Sequence, residues 1–360
     1  MDSNWKAQSY ARLNKGVRAV ALARQRQLVK PPGSLGGLEE LAVRLAAMQG
    51  DERPSLDNAA IVIFAADHGI AAESVPAFAQ ADTGEMLKRF ARGGAAICVL
   101  AGTLNAELEA VNLGIVNDPG ELPNVVRAII APSTANFAQE PAMTESQMEL
   151  AMQAGRDSVF RAVKNGAQIY IGGEIGIANT TAATALSCAL LNASPQELAG
   201  PDSGLDHAGV AHKIEVIQRA LELHGFIPSP AGGSGIEGEG ALEVLRRVGG
   251  FEIAALTGAY LTCAQLGLPV LVDGFITTAA ALVAVRLVPQ CADWLIYAHG
   301  SAEPGHARLL QSLNVQPLLH LGMHLGEGSG AATALPLLRA ACALHNGMAI
   351  FAEAAVSGKI

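Results

Sequence analysis

Aromatic and charged residues are scarce in this chain. Phe, Trp and Tyr make up only 4% of its 360 residues and charged residues only 16%, whereas 50% are hydrophobic. Small and aliphatic side chains must therefore fill the interior. A chain of this length and composition can bury a large core, in one large domain or in two smaller ones.

Basic runs and paired cysteines are also missing. The net charge is -9, and no run of Lys and Arg is present to follow a phosphate backbone, which argues against a nucleic-acid partner. The five cysteines are scattered singly, without a CxxC pair, as is typical of small buried residues in a reducing compartment. Residues 1–10 lack the apolar stretch of a signal peptide. We therefore expect a cytoplasmic protein.

Several catalytic and metal-binding motifs are absent as well. The sequence has no HExxH, no GxSxG and no zinc-type cysteine spacing. His320 and His324 have HxxxH spacing, but they fall in a strand-like run, where residues four apart lie far from each other. We expect no metal and no other cofactor.

One long uncharged run tests for a membrane span. Residues 253–272 carry no charge and are about long enough to cross a bilayer. Gly258, Gln265, Gly267 and Pro269 interrupt the run. A buried helix, a turn and a short central strand explain this pattern better than a transmembrane helix does.

Apolar runs that end in turn residues alternate with helical patterns through most of the chain. The strand-like runs cover residues 61–66, 108–113, 167–171, 270–272, 294–297 and 317–325. Most are continuous, which favours parallel strands covered on both faces. The sequence predicts an α/β fold, with a doubly wound, mainly parallel sheet and helices on both faces. We assign residues 56–330 to this domain, and residues 1–55 with 331–360 to a small helical domain.

The motif LGEGSG at residues 325–330 places a carboxylate in a glycine-rich turn. It follows the apolar run 315–325 and precedes an Ala/Leu-rich helical pattern. Ligands bind at the carboxyl ends of parallel strands, and a helix N-terminus there favours anions. Glu327 is therefore a candidate substrate-facing acid. The alternative is a helix-capping or solvent-facing glutamate.

Two further turns have the composition of ligand-binding loops. The first is GGEIGIANTT at 172–181, where glycines allow close backbone approach and Asn179 or Thr180 can cap a helix or bind phosphate oxygens. The second is GPDSGLD at 200–206, followed two turns later by Lys213. Each can also be an ordinary capped turn. The GxGxxG at 233–238 does not follow a strand, so we interpret it as a flexible loop.

The order of these motifs is more specific than any one of them. The set comprises KPPGSLG at 30–36, ADHG at 66–69, GGAAI at 93–97, GEIGIANTT at 173–181, GGFEIAAL at 249–256, VDGF at 272–275, HGS at 299–301 and LGEGSG at 325–330. Together they resemble the nicotinate-nucleotide–dimethylbenzimidazole phosphoribosyltransferase family, which acts in assembly of the nucleotide loop of cobalamin. The resemblance covers about residues 10–355.

This resemblance implies a homodimeric pentosyltransferase without a metal. The reaction would move the phosphoribosyl group of nicotinate mononucleotide to 5,6-dimethylbenzimidazole, with inversion at C1′. Glu327 would be the general base, and Glu174 would face the ribose. The implied phosphate and ribose site contains Gly176, Asn179, Thr180, Ser203, Gly204, Lys213 and Ser301. The implied acceptor site contains Pro76, Phe78, Glu85 and Leu325.

The sequence departs from the family pattern in both parts of this site. Ala178 stands where the family often has Gly, and Pro201 and Asp202 fall in a loop that is often GRGTG-like. Because a carboxylate repels phosphate, we expect Asp202 to point away from it. Pro76, Phe78 and Glu85 replace more usual residues near the acceptor, so adenine, another benzimidazole or a phenol are alternative acceptors. A phosphosugar isomerase and a catalytically silent nucleotide-binding partner subunit are the rival classes.

Overall fold

A parallel β-sheet forms the centre of the protein. The structure is a computed structural model that describes residues 5–202, 204–226, 236 and 238–354. Within them the sheet has six strands in the spatial order β3-β2-β1-β4-β5-β6, and every neighbouring pair is parallel. The strands are β1 (Ala59–Ala66), β2 (Glu107–Gly114), β3 (Val125–Arg127), β4 (Ile169–Ile175), β5 (Val270–Val272) and β6 (Leu295–Tyr297).

Helices connect the strands and flank the sheet. They are α1 (Lys15–Gln27), α2 (Gly37–Gln49), α3 (Ala81–Arg92), α4 (Ala96–Leu104), α5 (Glu145–Lys164), α6 (Asn179–Leu191), α7 (Pro195–Leu198), α8 (His207–Leu223), α9 (Glu239–Val248), α10 (Phe251–Leu266), α11 (Phe275–Leu287), α12 (Pro304–Ser312), α13 (Ser329–Gly347) and α14 (Phe351–Ala354). In the described residues, none of these helices has the length and apolar character needed to cross a membrane.

The strand order changes direction between β1 and β4. From β1 the chain adds β2 and β3 on one side, then returns to add β4, β5 and β6 on the other. In open sheets of this kind, ligands bind in the crevice outside the carboxyl ends of the strands at the switch point. The predicted fold class, a doubly wound parallel sheet flanked by helices, is confirmed.

Continuous apolar strands and helices make the core. All eight residues of β1 are buried, as the unbroken run at 61–66 predicts for a strand covered on both faces. The uncharged run at 253–272 is a buried helix, α10, followed by a turn and β5. A helix that is apolar on all sides must be buried on all sides. Helix α5 packs along α10, which explains its burial without a bilayer.

Strand β4 is longer than the sequence predicted. The pair Gly172 and Gly173 was predicted to begin a turn, but the strand continues through both to Ile175. Glycine is required at the second position because a side-chain Cβ on Gly173 would lie 2.5 Å from the backbone of Glu327. Glu174 therefore lies on the last part of a strand rather than in the turn that follows it.

The apolar run before the glycine-rich turn is not a buried strand, and that prediction is wrong. Within residues 317–325 only Leu319 forms a β-bridge, with His299. Leu321 and Leu325 are 59% and 56% exposed. Backbone hydrogen bonds join this segment to the chain that follows β6. Leu318 and Leu319 are partly buried against the core, whereas the later leucines lie at the surface.

The N-terminal and C-terminal helices pack together. Helix α2 contacts both α1 and α13. Arg24 of α1 donates a hydrogen bond of 2.8 Å to the backbone carbonyl of His345 near the end of α13. Buried residues of α2 and α13 nevertheless belong to the same apolar core as the sheet. The division into two domains stays a prediction: a small helical domain of residues 1–55 with 331–360, and an α/β domain of residues 56–330.

Candidate active site

A cavity of about 690 Å³ opens at the carboxyl ends of β4, β5 and β6. Its walls come from α3, the end of β4, the start of α6, the segments after β5 and β6, and the turn before α13. The predicted site residues that line it are Pro76, Phe78, Glu85, Glu174, Gly176, Asn179, Thr180, Ser301, Leu325 and Glu327. The strand order therefore gathers residues that are about 250 positions apart in the sequence, such as Pro76 and Glu327, into one concave site.

Glu327 sits at the centre of a strained turn. Gly326, Glu327 and Gly328 are three successive residues with positive φ, at 80°, 63° and 78°. Glycine adopts this conformation freely, but for glutamate it is unfavourable by an amount on the order of 1 kcal/mol. The side chain is only 3% exposed, and Gly328 rather than Glu327 is the N-cap of α13. The capping and solvent-facing alternatives for Glu327 are therefore wrong.

Glu174 lies next to this turn. A Cβ on Gly326 would lie 2.6 Å from Glu174 Oε1, so glycine is needed for the turn to pass this carboxylate. Asn179 Nδ2 donates a short hydrogen bond to Glu174 Oε2. Asn179 was one of two candidates for capping α6, but the N-cap is Ala178, with no side-chain capping bond. Asn179 instead fixes the orientation of Glu174.

Other buried carboxylates surround Glu174. Glu252 lies within 2.8 Å of His68 Nε2, and both side chains are fully buried. Asp273 accepts a hydrogen bond of 2.7 Å from the backbone N–H of Ala331 at the start of α13. Asp273 also lies 3.6 Å from His299 Nε2.

Burial and negative neighbours both act on the Glu174 carboxyl group. Desolvation raises its pKa well above the ordinary value, and the negative charges of Asp273, Glu252 and Glu327 raise it further. The hydrogen bond from Asn179 opposes this shift. Glu174 therefore takes up a proton more readily than an exposed glutamate, and its ionised form favours positive charge placed beside it.

The pKa of Glu327 is raised chiefly by burial. The backbone N–H of Ile97, at the start of α4, lowers the pKa and so favours the carboxylate. Asp273 raises the pKa and Arg89 lowers it. Glu327 Oε2 is buried and has no hydrogen-bond partner among the described residues. A buried carboxylate with a raised pKa and a free oxygen has the properties of a general base.

The predicted phosphate side contains an ion pair between a buried lysine and a partly exposed aspartate. Lys213 is fully buried, and its Nζ donates to Asp202 Oδ1 at 2.6 Å and to Thr180 Oγ1 at 3.1 Å. The expectation that Asp202 points away from this region is wrong, because its carboxylate holds the lysine and lines the cavity. The buried ammonium of Lys213 requires a carboxylate partner, which the sequence pattern did not indicate.

Three further predicted residues belong to this side: Ser203, Gly204 and Ser301. Ser203 lies outside the described residues, as do residues 233–235 and 237 of the GxGxxG loop. Gly204 does not line the cavity, and a Cβ there would lie 3.9 Å from the side chain of Ala77. Ser301 lines the cavity, and its hydroxyl accepts a hydrogen bond from the backbone N–H of Glu303 at 3.2 Å.

The predicted acceptor side is the open part of the cavity. Phe78 is 52% exposed, and Leu325 faces the same opening. Glu85 is paired with Lys88 at 2.7 Å, and the hydrogen bond from that ammonium lowers the carboxyl pKa. Pro76 also lines this side. The opening is therefore bordered by apolar side chains and by the charged pair at Glu85.

The sequence prediction missed several residues that line the cavity. They are chiefly Arg89 and Glu303. His299, from the HGS motif that follows β6, also lines the cavity. It is 3% exposed, and its Nδ1 has no partner among the described residues. The position of His299 directly after a strand indicated it as a candidate site residue. Arg89 in α3 and Glu303 at the start of α12 carried no comparable signal in the sequence.

Known proteins resemble this chain over nearly its whole length. The profile of a family described as Phosphoribosyltransferase matches residues 10–356. A protein from Xanthomonas euvesicatoria pv. vesicatoria, named nicotinate-nucleotide–dimethylbenzimidazole phosphoribosyltransferase, is 59% identical over 357 residues, covering 99% of both chains. A protein of the same name from Pseudomonas putida is 56% identical over 359 residues, covering 100% of this chain and 99% of the other.

A solved structure agrees with these relatives. The crystal structure of the protein with this name from Thermus thermophilus aligns with a TM-score of 0.88 at 42% sequence identity, covering 96% of this chain and 100% of that chain. Fold and sequence thus match together over the same residues. The chain belongs to the nicotinate-nucleotide–dimethylbenzimidazole phosphoribosyltransferase family, and it is a phosphoribosyltransferase of the pentosyltransferase class.

Proposed function

We propose that the protein transfers the phosphoribosyl group of nicotinate mononucleotide to 5,6-dimethylbenzimidazole. The bond between C1′ and the nicotinate nitrogen breaks, and its electron pair stays on the pyridine. A benzimidazole nitrogen attacks C1′ from the opposite face, giving α-ribazole 5′-phosphate with inversion. The proton of the other benzimidazole nitrogen passes to Glu327. This is the reaction in the names of the relatives, and it suits two buried carboxylates facing one cavity.

The buried carboxylate of Glu327, with one unpaired oxygen, is the observation that carries this proposal. Departure of nicotinate neutralises a pyridinium, so the leaving group needs little help from an acid. The incoming base, in contrast, must lose a proton as its nitrogen becomes cationic. Glu327 has a buried, unpaired Oε2 and a pKa raised by burial, as proton abstraction near neutral pH requires.

Glu174 acts on the sugar side of the same reaction. As C1′ loses its bond to nicotinate, positive charge develops on the ribose, and a fixed carboxylate stabilises that charge. The hydrogen bond from Asn179 and the packing of the Gly326 turn hold the Glu174 carboxylate in place. Such preorganisation matters because no rearrangement is then needed during the reaction.

The phosphate lies in this proposal near the start of α6. This helix begins without a side-chain cap, and the positive end of its dipole favours an anion there. Gly176, Thr180 and Ser301 line that part of the cavity, and Lys213 contacts Thr180 from behind. Ser203 and Gly204 belong to the proposed phosphate loop by resemblance.

The acceptor is the least constrained part of the proposal. Pro76, Phe78, Glu85 and Leu325 border an open surface, so adenine, another benzimidazole or a phenol are the alternative acceptors. The silent-partner alternative is disfavoured because both carboxylates are present and buried in one cavity. A homodimer and a cytoplasmic location are proposals from the resemblance and the cysteine pattern. Sedimentation tests the first by looking for twice the 37.0 kDa of one chain.

The direct test is turnover with a panel of acceptors. The purified protein is incubated with nicotinate mononucleotide and 5,6-dimethylbenzimidazole, benzimidazole, adenine or p-cresol, and nicotinate release and product mass are measured. We expect release with dimethylbenzimidazole and a product of the mass of α-ribazole 5′-phosphate. Folded protein that binds the nucleotide but releases no nicotinate with any acceptor would contradict the proposal and favour the silent partner.

A further inference from the structure

The charge of Lys213 is satisfied by groups of the protein itself. Its side chain is 0% exposed, and a buried ammonium without a partner is strongly unfavourable. Asp202 provides that partner at 2.6 Å, and Thr180 adds a neutral acceptor at 3.1 Å. The ion pair thus neutralises a buried charge that would otherwise destabilise the protein.

Asp202 also separates this lysine from the cavity. Thr180 and Asp202 line the cavity wall, whereas Lys213 does not. A second carboxylate, Glu303, lines the same part, and desolvation and the charge of Asp202 both raise its pKa. A phosphate entering here therefore meets carboxylates before it meets the ammonium. Like charges at such short range repel strongly where water is partly excluded.

The backbone at Asp202 supports the same interpretation. Its φ is +51°, in the left-handed region that only glycine adopts without cost. Aspartate tolerates this conformation better than most residues, but the ion pair with Lys213 is the interaction that favours it here. The pair therefore holds Asp202 in a backbone conformation that is unfavourable without this contact.

We propose that the Asp202 carboxylate pairs with Lys213 where the phosphate would otherwise lie, and that it must release the lysine when the mononucleotide binds. This inference rests on the proposed function, because it takes the phosphate of nicotinate mononucleotide as the displacing group. Asp202 is then a specificity-determining residue. It lowers affinity for the phosphate and leaves the affinity for the nucleoside part unchanged.

The test uses Asp202→Asn, which removes one charge at nearly constant shape. Asparagine tolerates the left-handed backbone, so the loop is not strained further. Calorimetric titration measures binding of inorganic phosphate, nicotinate mononucleotide and nicotinate riboside. We expect phosphate and mononucleotide to bind roughly tenfold tighter, about 1.4 kcal/mol, and the riboside to bind as before.

The matched control is Asp82→Asn. Asp82 is an exposed carboxylate that lines the same cavity but does not contact Lys213. It reports how much any lost negative charge at this cavity tightens phosphate binding. If Asp82→Asn has an effect as large as Asp202→Asn, general repulsion explains both, and the proposal is overturned.

A double-mutant cycle isolates the contact itself. In a Lys213→Met background, Asp202→Asn should tighten phosphate binding no more than the Asp82 control does, because no lysine remains to be released. The shift in melting temperature caused by phosphate gives a second readout for any variant of low stability. Unchanged or weaker phosphate binding by Asp202→Asn would overturn the proposal.

This outcome is separable from failure of the proposed function. Binding of inorganic phosphate needs neither an acceptor nor turnover. Normal nicotinate release by the wild type, with no change in phosphate affinity on Asp202→Asn, would refute only the role of Asp202. Tighter phosphate binding by the variant, with no release by the wild type, would refute only the proposed reaction.

Discussion

The carboxylate of Glu174 lies where a charge is unfavourable for folding. It is buried among Asp273, Glu252 and Glu327, and its pKa is raised well above the ordinary value by desolvation and by these neighbours. A group whose pKa is higher in the folded state stabilises the fold when protonated, and that stabilisation is lost as the pH rises through the folded pKa. The site therefore lowers stability at neutral pH in order to hold a reactive group.

Glu174→Gln should stabilise the protein at pH 8. Glutamine keeps the shape and can accept the hydrogen bond of Asn179, but carries no charge. The gain over the wild type should disappear below about pH 4.5, where glutamate is protonated in both the folded and unfolded states. Urea unfolding at both pH values measures it, with the exposed Glu140→Gln as control. A variant less stable than the wild type at pH 8 would contradict this account.

Glu85 is the residue at which acceptor choice is tested most simply. It is exposed on the open side of the cavity, and Lys88 holds it there. Glu85→Gln removes a charge beside a neutral, apolar acceptor, so we expect a lower KM for dimethylbenzimidazole, by roughly two- to fivefold for a solvent-screened charge. The KM for nicotinate mononucleotide should not change. In the control variant Glu121→Gln, outside the cavity, the KM values for both substrates should stay as in the wild type. A higher acceptor KM would show that the carboxylate binds the base.

At the scale of secondary-structure elements, local signals decided which predictions succeeded. Helix α5 carries such a local signal, because Thr144 and Gln147 form a capping box at its start. Strand β5 was predicted correctly, between the break at Gly267 and the Asp273-Gly274 turn that follows the strand. The prediction of a strand at 317–325 failed because a partly exposed apolar run beside a sheet edge has the same sequence pattern as a buried strand.

The glycines in the sequence gave little information about where turns lie, although several of them are essential for close packing. Gly172 and Gly173 were interpreted as a turn, although they are strand residues against which other elements pack closely. The sequence alone does not distinguish a glycine that turns the chain from one that admits a neighbour. That distinction requires contacts between residues distant in sequence, such as the approach of the Glu327 backbone to Gly173.

A prediction follows for the close packing of α5 on α10. A Cβ on Gly155 would overlap the backbone of Ala255, so Gly155→Ala should lower the free energy of unfolding by about 1–3 kcal/mol. The matched control is Gly102→Ala in α4, where nothing lies within 4 Å of the new Cβ, and where we expect a gain of about 0.5–1 kcal/mol. Urea unfolding of both variants checks the pair. Equal changes would show that helix propensity alone acts.

At the scale of the whole molecule, the fold class and family were predictable, but the cavity was only partly so. The order of motifs identified the family, and the alternation of strands and helices gave the α/β class. The ion pair of Asp202 with Lys213 and the cluster of Glu252 with His68 required tertiary contacts that no local pattern encodes. Loop charges were therefore the weakest part of the sequence prediction.

Arg339 joins three separate parts of the chain. From α13 its guanidinium donates to the backbone carbonyls of Leu56 at 2.9 Å, Leu104 at 2.8 Å and Asp57 at 2.9 Å. Arg339→Met should lower the free energy of unfolding by about 2 kcal/mol or more, since carbonyls lose charged donors. Thermal and urea unfolding test this against Arg308→Met on the surface, where we expect a change within about 0.5 kcal/mol. A loss no larger than that control would show that water replaces the guanidinium.

The central claim is that a buried Glu327 accepts the proton of the acceptor during phosphoribosyl transfer. The most direct measurement is the rate of nicotinate release from saturating nicotinate mononucleotide and 5,6-dimethylbenzimidazole, by the wild type and by Glu327→Gln. We predict that the variant binds the mononucleotide normally and that its kcat falls by at least about 100-fold, the scale of lost general-base catalysis. Near wild-type release by Glu327→Gln would contradict the claim and require another base.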